Sequence, residues 1–307
     1  MPKGRQILRK GGEAVHEYLR AVGFGGIKEK EELNRLLDFV QDCYQSERTA
    51  GNKDGVDFSE RKKAFAPRMG IMLRGEYDDK EQFQREYYYP YFEGTQEKYY
   101  EDVMVERHAE KESYAGVCDD LSLGVSLIFY VQNVADFLHE KRLNQLSKCT
   151  VTLRLSGLSI EGKILLPVLK GNLTEEENTE AVYQRTKLIQ AAREGDEDAI
   201  ENLTLEDMDM YSMISQRIAK EDVFSIVSTY FMPYGVECDH YNVMGEIQEV
   251  ELVQNTFTKE EIYVMTIESH DLVFEVCINK EDLLGEPKVG RRFKGIIWLQ
   301  GEIIFHV

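Results

Sequence analysis

The sequence predicts an α+β protein in four parts: a helical N-terminal segment (1–59), a mainly antiparallel α+β middle domain (60–172), a helical connector (173–240) and a small C-terminal β-barrel-like module (241–307). Three observations carry this reading. Apolar residues recur at helical spacing over 13–44 and from Met213 to Phe231. Val151, Leu153 and Leu155 alternate strictly with polar residues, and Val125–Val131 is apolar on both parities, as in a strand covered on both faces. Between Met213 and Glu249 one period replaces the other: Pro233 and Gly235 stop the helical pattern, and short β-type runs begin at Gly245.

Taken in order, Val15, Tyr18, Leu19 and Val22 form a first helical stripe, which Gly23, Gly25 and Gly26 stop. Glu29 to Glu32 place negative charge where a second helix begins, as its dipole favours, and Leu33, Leu36, Leu37 and Val40 mark its buried face. The polar stretch Ser46–Ser59 reads as a linker or exposed loop. Strands are expected at Met69–Tyr77, Glu86–Phe92, Val103–His108 and Val125–Val131, then a helix at Val134–Leu143. Gly157 and Gly162 read as breaks before a last strand at Ile164–Leu169. In the connector, Thr174 to Glu177 and Thr204 to Asp207 have capping-box spacing. The terminal strands are expected at Gly245–Val253, Ile262–Glu268, Leu272–Ile278 and Phe293–Phe305, the last divisible near Gln300, with a turn of helix at Lys280–Leu284. Four or five short strands suggest a closed barrel of oligonucleotide-binding or SH3 type, an analogy of fold and not of function.

A formal charge of -19 repels phosphate backbones and anionic lipid, so no nucleic-acid partner and no membrane are expected. Five scattered cysteines without a CxxC pair indicate a reducing compartment. No run approaches the roughly 18 apolar residues that span a bilayer, and the basic start lacks the apolar core of a secretory signal, so a cytoplasmic location is expected.

Six tyrosines crowd into Phe83–Tyr100. On a strand Tyr87, Tyr89 and Tyr91 share one face, either as a stacking platform for a ligand or partner or as cross-strand packing beside a core. Pro90 places this strand at an edge or bulge. Lys288, Arg291, Arg292 and Lys294, near Trp298, form the clearest basic cluster, but residues 241–307 hold 12 acidic against 6 basic side chains. An internal clamp onto acidic helices or a solvated turn suits that cluster better than nucleic acid. Tyr87, Tyr89, Tyr91, Arg291, Arg292 and Trp298 are thus the candidate ligand or partner surface.

No catalytic residue is assignable. Cys238, Asp239 and His240 adjoin, yet neighbours on an extended segment point to opposite faces, and no second Cys/His pair completes a zinc site. His270 with Asp271 sits in an expected turn, and His108 and His139 have no diagnostic companion. The acidic run Glu194–Asp209 lacks EF-hand spacing, as does the loop around Asp54, where Ala50 and Arg61 occupy the first and twelfth ligand positions. Phosphate-binding glycine motifs and the GxSxG elbow are missing. No metal and no cofactor are expected.

The stretches LIQAAREGDEDAIENLT, EDVFSIVSTYFMPYGVECDHYNVMGEI, VGRRFKGIIWLQGEI and YLRAVGF resemble a full-length family of uncharacterised clostridial-type bacterial proteins, a domain of unknown function. The resemblance implies a bacterial, intracellular protein and transfers no activity, cofactor or site residue. The expected function is a cytosolic non-catalytic binding or regulatory protein holding another protein or a small ligand. The alternatives are an enzyme whose acid/base site is assembled from distant segments, with Asp239 or His240 as members, and a nucleic-acid-binding barrel. Oligomeric state is not legible.

Overall fold

The computed structural model describes residues 15–51, 57–78, 80–100, 103–107, 114–120, 122–143, 150–167, 187–193, 196, 199–203, 228–235 and 238–306. The first apolar stripe closes as a 3-10 turn, Glu17–Val22, and not as an α-helix. Gly23 ends it with φ 85°, and a Cβ there would sit 2.7 Å from the Cβ of Asn255, so only glycine lets the chain turn at this contact. The second stripe is α1, Lys30–Asp42, which buries the expected Leu33, Leu36, Leu37 and Val40.

The stretch expected as a linker is sheet. Strands β1 (Ser46–Gly51), β2 (Asp57–Ala66), β3 (Met69–Tyr77) and β4 (Phe83–Phe92) form a four-stranded antiparallel sheet in that order. Strands β5 (Glu97–Tyr100), β6 (Val103–Arg107), β7 (Tyr114–Asp120) and β8 (Val125–Val131) follow, then α2 (Val134–Arg142) and β9 (Thr150–Leu165). The last is a single strand that runs through both glycines taken as breaks. At Gly162 a Cβ would meet the Phe293 ring at 2.5 Å, so the glycine admits a neighbouring ring and does not end the strand.

Residues 187–193 and 199–203 are helical, and most of the connector lies outside the described residues. The helical pattern from Met213 does not reach Phe231, because Tyr230–Pro233 is a strand, β10, paired with β11 (His240–Gln254). Next come β12 (Glu261–Ser269), β13 (Leu272–Asn279), a 3-10 turn at Lys280–Asp282, β14 (Leu283–Leu284) and β15 (Arg292–His306), the last undivided at Gln300. His270 and Asp271, with φ 50° and 60°, make the two-residue turn between β12 and β13.

The result is a sheet-rich α+β fold. In the larger sheet β11 pairs with both β12 and β15, β12 pairs with β13, β13 runs parallel to β9, and β9 pairs with β15 over nearly its whole length. These pairings make a ring of five strands and cross the boundary expected at residue 172. Alternate residues serve two cores. Val243, Met265, Ile267, Phe274, Val276, Ile278, Phe293 and Ile297 belong to one. Leu158, Ile262, Val264, Cys277 and Trp298 join the other, with the 3-10 turn, α1 and one face of the four-stranded sheet. Among the described residues no helix is long and apolar enough to cross a membrane.

Candidate functional site

Register in the four-stranded sheet brings polar side chains into two rows. Arg48 lies opposite Glu60, Glu60 opposite Arg74, and Arg74 opposite Tyr87; Ser46, Lys62, Met72 and Tyr89 make the next row, with Tyr91 opposite Gly70 beyond it. Because strand side chains alternate, all of these share one face. The other face carries Met69, Ile71, Leu73, Tyr88 and Phe92 into the apolar core.

Arg74, fully buried, organises the polar face. Its Nε donates to Glu60 at 2.6 Å, Nη1 donates to the hydroxyls of Tyr87 (2.9 Å) and Tyr130 (2.8 Å), and Nη2 donates to the Tyr89 hydroxyl and to the carbonyls of Val131 and Gln132. Burial opposes the guanidinium charge, but the tyrosine oxygens and Glu60 around it outweigh burial and hold its pKa well above the usual value. Burial pushes the Glu60 carboxyl above the usual carboxylate range, against the pull of Arg74. The second oxygen of Glu60 accepts from the backbone N–H of Ala135 at 3.0 Å, in the first turn of α2. One ion pair therefore ties three strands to the β8–α2 junction.

Beside this pair lies a cleft of about 210 Å³, lined by Ser46, Arg48, Glu60, Lys62, Met72, Tyr91 and Glu93 from the sheet side and by Gln132, Asn133, Asp136 and Glu302 across from them. Asn133 is fixed to β15 in both directions, donating to the Ile303 carbonyl (2.7 Å) and accepting from its N–H (3.0 Å). Lys62 pairs with Glu93 and holds its ammonium 4.6 Å from the centre of the Tyr91 ring. Burial lowers the Lys62 pKa below the usual lysine range. Tyr91 is 1% exposed, and its hydroxyl has no hydrogen-bond partner among the described residues. Burial raises its phenol pKa, so the group is a neutral donor and acceptor at ordinary pH.

The six residues expected to form one surface divide. Tyr87 and Tyr89 serve Arg74 internally, and only Tyr91 faces the cleft. Pro90 does lie on an edge strand, but its carbonyl accepts from Gln300 of β15 at 2.9 Å, so the chain itself occupies that edge. Trp298 is buried and donates its Nε1–H to Asp239 at 2.8 Å. Arg292 is buried with Nε and Nη2 on the Leu166 carbonyl, and Arg291 donates to the Glu286 carbonyl. Arg291, Arg292 and Trp298 thus point to three separate places and form no common patch. Asp239 and His240 are not splayed as an extended segment would have them. Asp239 precedes β11 in a turn, and its Oδ1 lies 2.9 Å from His240 Nδ1.

Lys62, Glu60, Gln132, Asn133, Asp136 and Glu302 escaped the sequence reading. One signal was available: Arg74 interrupts the apolar run Met69–Leu73, and a charge in a strand that must be buried demands a partner. A second groove of about 480 Å³ lies along β11 and β12, where Arg68 holds buried Glu275 with two hydrogen bonds. The buried thiols are poor nucleophiles: burial pushes Cys118 up to about 12 and raises Cys277 as well. Among the described residues no three His, Cys, Asp or Glu side chains are grouped to hold a metal ion.

A family model described as a domain of unknown function from an E. rectale gene description, DUF3881, matches residues 19–301. The chain belongs to the DUF3881 family. E. rectale is a clostridial organism, in line with the resemblance read from the sequence. No curated protein and no solved structure matches the chain. The DUF3881 match takes in every residue lining the cleft except Glu302, which lies one position beyond it.

Proposed function

We propose that this DUF3881 protein is a cytoplasmic, bacterial, non-catalytic binding or regulatory protein that holds a small polar ligand in the Tyr91–Lys62 cleft. One observation carries the reading. The Tyr91 side chain lines the cleft, and its buried hydroxyl lacks a partner among the described residues. A buried hydroxyl without a hydrogen bond costs about 1–3 kcal/mol, and a ligand that supplies the bond removes that cost. Charged groups on both walls, held by the Arg74 network, supply orientation.

The finer architecture bears on the competing readings. The ring of β11, β12, β13, β9 and β15 suits a small closed barrel of the oligonucleotide-binding type, with β9 as the strand that closes it. Such barrels bind nucleic acid across the face of their second and third strands. Here Ile262 and Val264 of β12 and Cys277 of β13 are buried on that face against the 3-10 turn and the four-stranded sheet. Coverage of this face and the negative surface both speak against a nucleic-acid ligand.

A second reading keeps the enzyme alternative. Asp239 orients His240, and its other oxygen is held by Trp298, an arrangement like that of an oriented general base. His240 is 5% exposed, however, under the ring of Tyr18, and lines neither cleft described above.

Native mass spectrometry of protein purified gently from its own host tests the proposal. The expected result is a small-molecule adduct that is lost from Tyr91→Phe and kept by His240→Asn. A bare chain, together with identical ligand-screen responses from the wild type and Tyr91→Phe, overturns it.

A further inference from the structure

We infer that the ligand of the cleft is a small zwitterion of α-amino-acid size, its carboxylate against Tyr91 and Lys62 and its ammonium against Glu302 and Asp136. The inference rests on the cleft being a ligand site and adds the class of ligand.

Volume sets the size. About 210 Å³ corresponds to roughly seven waters of liquid volume, so the part of an occupant held inside the cleft is on the order of ten non-hydrogen atoms. This falls below the roughly 300–1,000 Å³ of sites for drug-sized molecules and suits a small occupant better than a whole nucleotide.

Charge sets the chemistry. Four carboxylates line the cleft: Glu60, Glu93, Asp136 and Glu302. Four cations meet them. Arg74 is bonded to Glu60, Lys62 to Glu93, Arg48 lies 3.9 Å from Asp136, and Arg154, which pairs more closely with Glu97, reaches Glu302 at 3.3 Å. The site therefore holds both signs, with Glu302 sharing its cation. Such a site opposes a bare anion, which would face four carboxylates, and leaves the Lys62 and Tyr91 donors unanswered by a bare cation. It accommodates a neutral molecule with separated charges.

Position sets the orientation. Tyr91 is 1% exposed and the Lys62 side chain 25%, whereas the Asp136 side chain is 39% exposed and that of Arg48 72%, so the cleft opens from the tyrosine toward α2 and β1. At the closed end the unpartnered Tyr91 hydroxyl and the ammonium of Lys62, which spends one of its three donors on Glu93, present donors to a carboxylate. Glu302, its side chain 27% exposed, and Asp136, nearer the mouth, have no contact shorter than 3.3 Å to a cation or amide and keep lone pairs for an ammonium.

The test is calorimetric titration of the full chain with matched compounds: alanine, serine and glycine against propionate, ethylamine and glycerol. Alanine is expected to bind at least about tenfold tighter than propionate or ethylamine, since each lacks one charge-assisted contact. Glu302→Gln and Tyr91→Phe are each expected to weaken alanine about tenfold, which shows the binding to be in this cleft. If propionate, ethylamine or glycerol binds as tightly as the amino acids, and Tyr91→Phe abolishes it, the zwitterion is wrong and the cleft stands. If amino acids bind with Tyr91→Phe and Glu302→Gln unchanged, the inference falls because they bind elsewhere. If no compound binds and the native protein carries no adduct, the inference and the binding reading fall together.

Discussion

Removing one oxygen atom separates a ligand-binding hydroxyl from a structural one. Tyr91→Phe deletes the hydroxyl and keeps the ring that packs under Lys62. If the hydroxyl is unpaired in the folded protein, its deletion relieves the roughly 1–3 kcal/mol that an unsatisfied buried polar group costs. The ligand-free variant should then be more stable than wild type by about 1 kcal/mol, since unfolding hydrates the hydroxyl only in the wild type. For a chain of 307 residues that is a rise of about 1–2 °C in Tm. Trp298, the sole tryptophan and fully packed, reports unfolding by fluorescence during a urea titration of protein freed of small molecules by dialysis. The midpoint should rise with an unchanged slope. With ligand added the order should reverse, because only wild type gains the full linkage term. Loss of about 1 kcal/mol or more in ligand-free Tyr91→Phe would refute the reasoning, since it would show the hydroxyl bonded inside the fold.

Three further substitutions test the frame around the cleft. Arg74→Met leaves Glu60 buried without its cation and should cost about 3–5 kcal/mol by urea unfolding, whereas adding Glu60→Leu should recover only the part due to the unpaired carboxylate, because the tyrosine hydroxyls, the Val131 and Gln132 carbonyls and the Ala135 N–H still lose the bonds the pair supplied. Asp120, buried, accepts from Lys98 and Tyr100 at 2.7 Å each and from Ser122; burial works to raise its pKa, but these bonds outweigh it and hold the pKa below the usual 3.8. A lowered carboxyl pKa stabilises the fold above 3.8 and loses that effect as pH falls through the folded value, so Asp120→Asn should be about 1.5–3 kcal/mol less stable at pH 7 and converge on wild type in acid. Gly162→Ala drives a methyl into the Phe293 ring and should cost about 1–3 kcal/mol, read as a lowered Tm with the secondary structure retained by circular dichroism.

How much the sequence disclosed follows from where its patterns are local. Met69–Tyr77 and Val125–Val131 were legible because each contains five consecutive residues without a charge or amide, Met69–Leu73 and Leu127–Val131, and α1 because four apolar residues fall on one face. Strands β1 and β2 were not, because neither face is apolar. Glu60 and Lys62 look into the cleft, while Arg61 on the opposite face stacks on Tyr44 and Phe83 and pairs with Glu47. Period 2 is present in those strands but has no hydrophobic contrast to show it. Gly157 and Gly162 misled for the reverse reason: each makes room for a side chain of β15, more than 100 residues away in the sequence. The tyrosine strand was recognised as a strand with a shared face, yet nothing local distinguishes Tyr91 from Tyr87 and Tyr89. Their different duties depend on register against Arg74 and Gly70.

The Arg74–Glu60 pair explains why the cleft lies where it does. A fully buried ion pair is a poor means of gaining stability, since apolar residues of similar volume often do as well or better. Its partners here show what it provides instead. Arg74 holds the carbonyls of Val131 and Gln132, Glu60 holds the N–H of Ala135, and between these points lie Gln132 and Asn133, with Asp136 one residue beyond. These three residues form the cleft wall opposite Lys62 and Tyr91. A wall made of a strand end and a helix start has no regular hydrogen bonding of its own to fix it to a separate sheet, and the guanidinium and carboxylate supply that attachment. The Arg74→Met, Glu60→Leu double variant therefore separates two quantities that usually change together. It should regain the stability lost to the unpaired Glu60 carboxylate but stay below wild type, since the hydroxyls, carbonyls and Ala135 N–H lose the bonds that the pair supplied, and it should lose more of the cleft's affinity than that residual loss alone would bring.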